Sequence, residues 1–188
     1  MAEDSSSPPL VLASASPQRR AILERVGVRF TVRPANIEEI QRGEPAEVVV
    51  ANALSKARAA RLHAGETVLG CDTLVALERR IYGKPADIAQ ARATLRALSG
   101  ATHTVFSGLA LLRGERERVA FARTEVSIRE LDDELVEWYL AKGEWRGRAG
   151  GYAIQGAGSA IVREIRGDYE NVVGLPLAAL IDLFPELL

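Results

Sequence analysis

Lysine is almost missing from this chain. Of its 24 basic residues only Lys56, Lys84 and Lys142 are lysines; the other twenty-one are arginines. Where surface cations are so freely arginine, a retained lysine marks a position that calls for a compact ammonium rather than a planar fork. Cysteine is scarcer still, and Cys71 alone excludes an intrachain disulfide and any zinc site built on several thiolates. No apolar run reaches the ~18 residues of a membrane span. Neither sign of charge dominates: 24 Lys+Arg against 25 Asp+Glu leave a net charge of −1, which argues against holding a long nucleic acid by bulk charge. Aromatic residues make up 5%, and Trp138 and Trp145 read as core or interface residues rather than a base-stacking platform. Met1 to Pro9 is acidic and Ser/Pro-rich with no basic region, so it reads as a loose, disordered cytosolic tail rather than a signal peptide. The chain also lacks G-x-x-x-x-G-K-[ST] and G-x-G-x-x-G between a strand and a helix, which disfavours a P-loop NTPase and a dinucleotide oxidoreductase.

What is present suits one globular domain over residues 10–188. The composition is 47% hydrophobic and 26% charged, and a chain of this mass buries roughly 70% of its unfolded surface, enough for a self-sufficient core. Strand-like runs alternate with helical patterns, the signature of an α/β fold. Leu10 to Leu12 is a short strand. Ser16-Pro17 caps a helix that Gly27 stops, a second strand spans Arg29 to Arg33, and a long helix runs from Pro45 to about His63. Thr67 to Leu77 is the expected central strand. A helix over 87–98, long strands over Thr102–Leu112 and Val119–Ile128, and a helix from Asp132 to Ala141 follow. After the five glycines of Gly147–Gly158 come a strand over Ser159–Ile165 and a final helix from Pro176 to Phe184.

Four places in this pattern could carry chemistry. In Ser14-Ala15-Ser16-Pro17-Gln18-Arg19-Arg20, hydroxyls and free N–H groups gather at a helix start. Cations there oppose the helix dipole, so either the arginines are simply solvated and Ser16 only caps, or a bound anion reverses the sign. In Gly70-Cys71-Asp72-Thr73 a carboxylate interrupts an apolar strand. Asp72 must be paired with a cation, bound to a metal, protonated, or hydrogen-bonded at a bulge or turn, and Gly70 leaves room for close approach beside it. Along the long helix, with Val50 at zero, Val49, Ala53, Leu54, Ala57 and Ala60 span roughly −100° to +40°, while Lys56 falls near −120° and Asn52 near −160°. Lys56 thus borders the buried face, as a snorkelling lysine or as a site lysine. Lys84 sits in a turn that Pro85 holds extended. Glu38-Glu39, taken alone, is plain surface. His63 and His103 show no ligand spacing, and Cys71 reads as a small buried hydrophobe.

Together these segments resemble the Maf family of nucleoside triphosphate pyrophosphatases. The match runs in order through Ser14–Leu23, Ile37-Glu38-Glu39, Lys56, Gly70–Thr73, Gly83-Lys84-Pro85, Leu98-Ser99-Gly100, Ala149–Gly156 and Val173–Leu177. The resemblance implies an ITPase-like α/β fold, a mixed, twisted sheet flanked by helices with a cleft between two lobes. It implies hydrolysis of a nucleoside triphosphate to the monophosphate and pyrophosphate with Mg²⁺ or Mn²⁺. By position it makes Asp72 the catalytic carboxylate and, with Glu38, a metal residue. It makes Ser14, Ser16 and Arg19 the phosphate-facing loop, and Lys56 and Lys84 the lysines that neutralise the triphosphate and departing pyrophosphate. Thr73 and Gln155 match positions tied to base choice, and Tyr152–Gly156 looks like the branch acting on dTTP and UTP, where an amide can meet the pyrimidine's imide edge. Gln18 departs from the family, which usually has arginine there. It supplies neither charge nor fork, and Arg20 lies about 100° further round the helix. The 7-methyl-GTP type of substrate, and a nucleotide-binding regulator of cell division with little catalysis, which Gln18 favours, stand as alternatives. A homodimer stays open.

Overall fold

The computed structural model describes residues 9–60 and 63–188. The tail expected up to Pro9 lies, but for that proline, outside the described residues. In chain order the elements are β1 (Leu10–Leu12), α1 (Pro17–Arg25), β2 (Phe30–Val32), α2 (Pro45–Ala59), β3 (Thr67–Leu77), β4 (Arg80–Tyr82), α3 (Ile88–Leu98), β5 (Thr102–Arg113), β6 (Arg116–Ile128), α4 (Asp133–Ala141), β7 (Val162–Arg166), α5 (Tyr169–Val173) and α6 (Leu177–Leu183). Among the described residues no helix is long and apolar enough to cross a membrane.

The strands form one mixed sheet in the order β2-β1-β3-β5-β6-β7, with β4 on the far end of β3. β2, β1 and β3 are parallel; β3, β5, β6 and β7 pair antiparallel. The unequal strand lengths create the site. β1 pairs only with Thr67–Leu69, and β4 joins β3 only from Val75 onward, so residues 70–74 of β3 have no strand neighbour on that edge. A crevice opens there, beyond the carboxyl end of β1, where ligands of open α/β sheets bind.

Alternation along the strands divides the core between the two faces. Val11, Ala13, Val68, Ala110 and Leu112 meet Ala53 and Ala57 of α2 on one face. Leu10, Leu12, Leu69, Cys71 and Leu109 meet Ile22, Leu23, Leu180 and Phe184 on the other. Each fully buried leucine contributes about 1.5–3 kcal/mol. A separate cluster around Val75, Val105, Leu95, Leu98, Tyr139, Trp145 and Tyr152 forms the core of a second lobe, under α3 and α4.

Several boundaries differ from the sequence reading. α2 ends at Ala59, and residues 61 and 62 of the expected longer helix lie outside the described residues. β6 begins at Arg116, because Arg116–Arg118 pair with β5 through the backbone however polar their side chains are. β7 begins at Val162, since Ala157–Ala160 closes a short 3₁₀ turn. β4 and α5 were not anticipated: three and five residues are too short to set up a period.

His103 is 1% exposed, its Nε2 is 2.8 Å from the Tyr152 hydroxyl, and Nδ1 has no hydrogen-bond partner among the described residues. Burial lowers its pKa from 6.5 to about 4. The unfolded chain therefore takes up a proton below pH 6.5 that the folded chain refuses until about pH 4, and folding stability falls across that window. The expected loss is about 3 kcal/mol. Chemical denaturation at pH 7 and pH 4.5 should show it, and His103→Gln, which keeps a hydrogen-bonding side chain but cannot titrate, should flatten it; an equally steep profile in that variant would assign the acid sensitivity elsewhere.

Candidate active site

Asp72 is 5% exposed and points toward α2. Gly70 precedes it on the same face of β3, and Gly108 lies directly opposite it on β5. A Cβ on Gly70 would stand 2.0 Å from the Ala53 carbonyl oxygen, and one on Gly108 2.2 Å from that of Val49. The two glycines thus let the α2 backbone rest on the sheet, one helical turn short of the carboxylate. Lys56 and Asn52, at the border of the apolar stripe, then reach Asp72. Lys56 Nζ donates to Oδ1 at 2.5 Å and Asn52 Nδ2 to Oδ2 at 2.9 Å.

Asn52 has a second task. It also exchanges hydrogen bonds with Ile40, its Oδ1 accepting the backbone N–H at 2.8 Å and its Nδ2 donating to the carbonyl at 3.0 Å. That clamp fixes the loop before α2 and brings Glu39 to 2.7 Å from Lys56 Nζ and 3.7 Å from Lys84 Nζ. Burial alone would push the Asp72 carboxyl up. The charge and hydrogen bond of Lys56, with help from Asn52 and Arg19, outweigh burial and hold it below the ordinary carboxylate range. Asp72 is therefore ionised throughout the neutral range.

Thr73 faces the other side of β3, where a second network builds the opposite wall. Arg19 is 9% exposed and turns away from the axis of α1. Its Nε donates to the Gly174 carbonyl at 2.8 Å, Nη1 to Ser14 Oγ at 2.9 Å and Nη2 to Thr73 Oγ1 at 3.1 Å. Thr73 also meets Ser107 Oγ at 2.8 Å. Gly174 can present its carbonyl there because it ends α5 at φ 129°, a backbone conformation that glycine adopts without steric cost.

These walls enclose a cavity of ≈ 270 Å³ lined by Ser14, Ser16, Gln18, Arg19, Glu39, Lys56, Asp72, Thr73, Lys84 and Arg148. Gln155 does not line it. That residue is exposed, on the wall of an adjoining cavity of ≈ 380 Å³ that shares Arg148, Tyr152, Val172 and Val173 with the first. Glu38 is exposed and lines neither cavity, and its neighbour Glu39 is the residue brought to Lys56. Arg20 pairs with Glu24 on the solvent side at 2.9 Å, so it does not reach the place beside Gln18. His63 is exposed. Lys142 lies over the Trp138 ring, 5.2 Å from its centre, which accounts for the third lysine away from the site.

Asn52, Glu39, Arg148 and Tyr152 were not singled out as site residues in the sequence. Asn52 carried a signal: an amide beside Lys56 on the border of an apolar stripe. Glu39 could not be told from Glu38 in a loop without periodicity, and nothing local marks Arg148.

A crevice at the end of a parallel strand, lined by four cations and two carboxylates, defines an α/β protein built to bind a compact polyanion beside a fixed carboxylate. The chain belongs to the Maf-like protein family, which it matches over residues 9–187. It is 49% identical over 181 residues to the dTTP/UTP pyrophosphatase of Moorella thermoacetica, covering 93% of this chain and 92% of the relative. It is 47% identical to that of Gloeobacter violaceus, covering 94% and 95%, and 43% identical to that of Pyrococcus furiosus, covering 93% of each. Among solved structures it is similar to the Ham1 protein of Staphylococcus aureus, at 17% identity and a TM-score of 0.46 over 64% of this chain and 71% of that one.

Proposed function

We propose that this chain is a cytoplasmic nucleoside triphosphate pyrophosphatase that hydrolyses dTTP and UTP, and modified pyrimidine nucleoside triphosphates of the same shape, to the monophosphate and pyrophosphate. The observation that carries the reading is Asp72, ionised and held by Lys56 and Asn52 on the wall of a cation-lined crevice. The named activity of relatives that share nearly half its residues along nearly its whole length supports it.

A divalent cation, Mg²⁺ or Mn²⁺, belongs to this reading. The residues that would hold one are the carboxylates of Asp72 and Glu39, which both face a cation already, the Lys56 ammonium. Among the described residues no group of three or more His, Cys, Asp or Glu could hold a metal unaided, which suits Mg²⁺, a cation that takes one or two carboxylates and fills its shell with water and substrate phosphate. When bound it would neutralise phosphate oxygens and lower the pKa of coordinated water.

The chain's own groups divide the remaining work. Asp72 accepts a hydrogen bond from the attacking water and draws off its proton as oxygen bonds to the α-phosphorus. The bond from that phosphorus to the bridging oxygen breaks, and pyrophosphate departs with the bonding pair. Lys84, half exposed and 3.7 Å from Glu39, is free to follow the growing negative charge. Ser14 and Ser16 present hydroxyls at the mouth of α1. Gln155, in the adjoining cavity, offers an amide to the base.

Purified protein incubated with Mg²⁺ or Mn²⁺ and one nucleotide at a time should yield monophosphate and pyrophosphate in equal amounts, fastest from dTTP and UTP. Orthophosphate with nucleoside diphosphate would sink the assignment, and preference for 7-methyl-GTP would move it to that branch. Gln155→Ala should narrow the preference for pyrimidine over purine triphosphates by roughly tenfold, the value of about one lost hydrogen bond. An unchanged ratio would remove Gln155 from base selection.

A further inference from the structure

Most cations in the crevice are already committed to the protein. Lys56 is clamped between Asp72 and Glu39 at 2.5 and 2.7 Å. Arg19 directs its fork to Gly174, Ser14 and Thr73. Gln18 brings no charge, and its Oε1 accepts from Ser16 Oγ at 3.1 Å. Lys84 stands near Glu39 with a side chain 55% exposed.

Arg148 differs from all of these. It is partly buried and its guanidinium makes no hydrogen bond or ion pair among the described residues. Its backbone is nonetheless fixed, the N–H donating to Trp145 at 3.3 Å and the carbonyl accepting from Gly151 at 3.0 Å. The next turn is tied to the residue that follows β4, the Gly150 N–H donating to the Gly83 carbonyl at 3.1 Å. A partly desolvated guanidinium carried on a fixed backbone, and without a partner among the described residues, is set to receive an anion.

The position of Arg148 says which anion. It lies on the wall shared by the cavity of Lys56, Lys84 and Asp72 and the cavity of Gln155. A nucleotide with its phosphate chain in the first and its nucleoside in the second passes Arg148 at the phosphate next to the sugar. We propose that Arg148 binds the α-phosphate, the phosphate that stays with the nucleoside after cleavage. The order of the two cavities rests on the pyrophosphatase reading.

The two products separate this role from a general charge effect, because only the monophosphate keeps the α-phosphate. Titration calorimetry should show Arg148→Met binding dTMP at least about tenfold more weakly than the parent protein, with Arg148→Lys recovering part of the loss. Inhibition by inorganic pyrophosphate should stay within about twofold, and kcat/KM for dTTP should fall about thirtyfold or more. Unchanged dTMP affinity in folded Arg148→Met would overturn the proposal, as would equal losses for dTMP and pyrophosphate. Should Arg148→Met not fold, Arg148→Gln is read by the same criteria. A parent protein that binds dTMP through Arg148 yet releases no pyrophosphate from any nucleotide would refute the pyrophosphatase reading and leave Arg148 as a phosphate ligand.

Discussion

Asp72→Asn is expected to lower the turnover of dTTP by about a thousandfold while leaving the protein folded, because it removes the carboxylate that Lys56 and Asn52 hold ionised as a proton acceptor. The change is nearly isosteric. An amide oxygen still accepts from Lys56, and Lys56 keeps Glu39 at 2.7 Å, so no charge is left without a partner. Exchanging one member of a buried charge network for a neutral group of the same shape relieves desolvation as well as losing attraction. The melting temperature should therefore move by only a few degrees. More than a tenth of the parent activity in Asp72→Asn would take Asp72 out of the catalytic role. Lys56→Met tests the same carboxylate from the other side. It removes the largest influence lowering the Asp72 pKa and leaves burial, which raises it. The acid limb of kcat/KM should then move to higher pH. The linkage to stability has a definite sign: a carboxyl lowered by folding stabilises the protein above its unfolded pKa and loses that contribution as pH falls through the folded one. In Lys56→Met this contribution should vanish or reverse.

The parts of this site that the sequence made legible are those where burial conflicts with polarity. Asp72 stood out because a carboxylate in an apolar strand needs a partner, and Lys56 because its angle on α2 placed it beside the stripe that packs on that strand. The structure joins the two at 2.5 Å. Gly70 was expected to permit close approach, and the atom that approaches is the Ala53 carbonyl oxygen. What stayed hidden depends on contacts far apart in the chain. An arginine in the first turn of α1 opposes the helix dipole and so needs another reason to be there. Part of the answer is the Gly174 carbonyl, 155 residues away, which takes the Nε hydrogen bond. Glu39 reaches the site only because Asn52 grips Ile40, a pairing that no period in the loop announces. The buried His103–Tyr152 pair likewise joins β5 to the glycine-rich turn and leaves no local trace.

Gly108→Ala should destabilise the protein by about 3 kcal/mol or more, at the upper end of overpacking substitutions because the added methyl meets helix backbone rather than a side chain that could turn aside. Its Cβ would lie 2.2 Å from the Val49 carbonyl oxygen, 2.3 Å from the carbonyl carbon and 2.7 Å from the Val50 nitrogen. α2 must lift off the sheet. That movement exposes part of the apolar surface of Val48, Val49, Ala53 and Ala57, all 4% exposed or less, and it draws Asn52 and Lys56 away from Asp72. Stability and turnover should therefore fall together. The melting temperature should drop by roughly 6–12 °C for a chain of this size. Gly83→Ala provides the comparison: nothing lies within 4 Å of the added carbon and the backbone is not in the left-handed region, so its stability should change by less than about 0.5 kcal/mol or rise slightly. If Gly108→Ala melted like Gly83→Ala, α2 would not be resting on the sheet at Gly108, and the close approach that carries Lys56 to Asp72 would have to be reassigned to Gly70 alone.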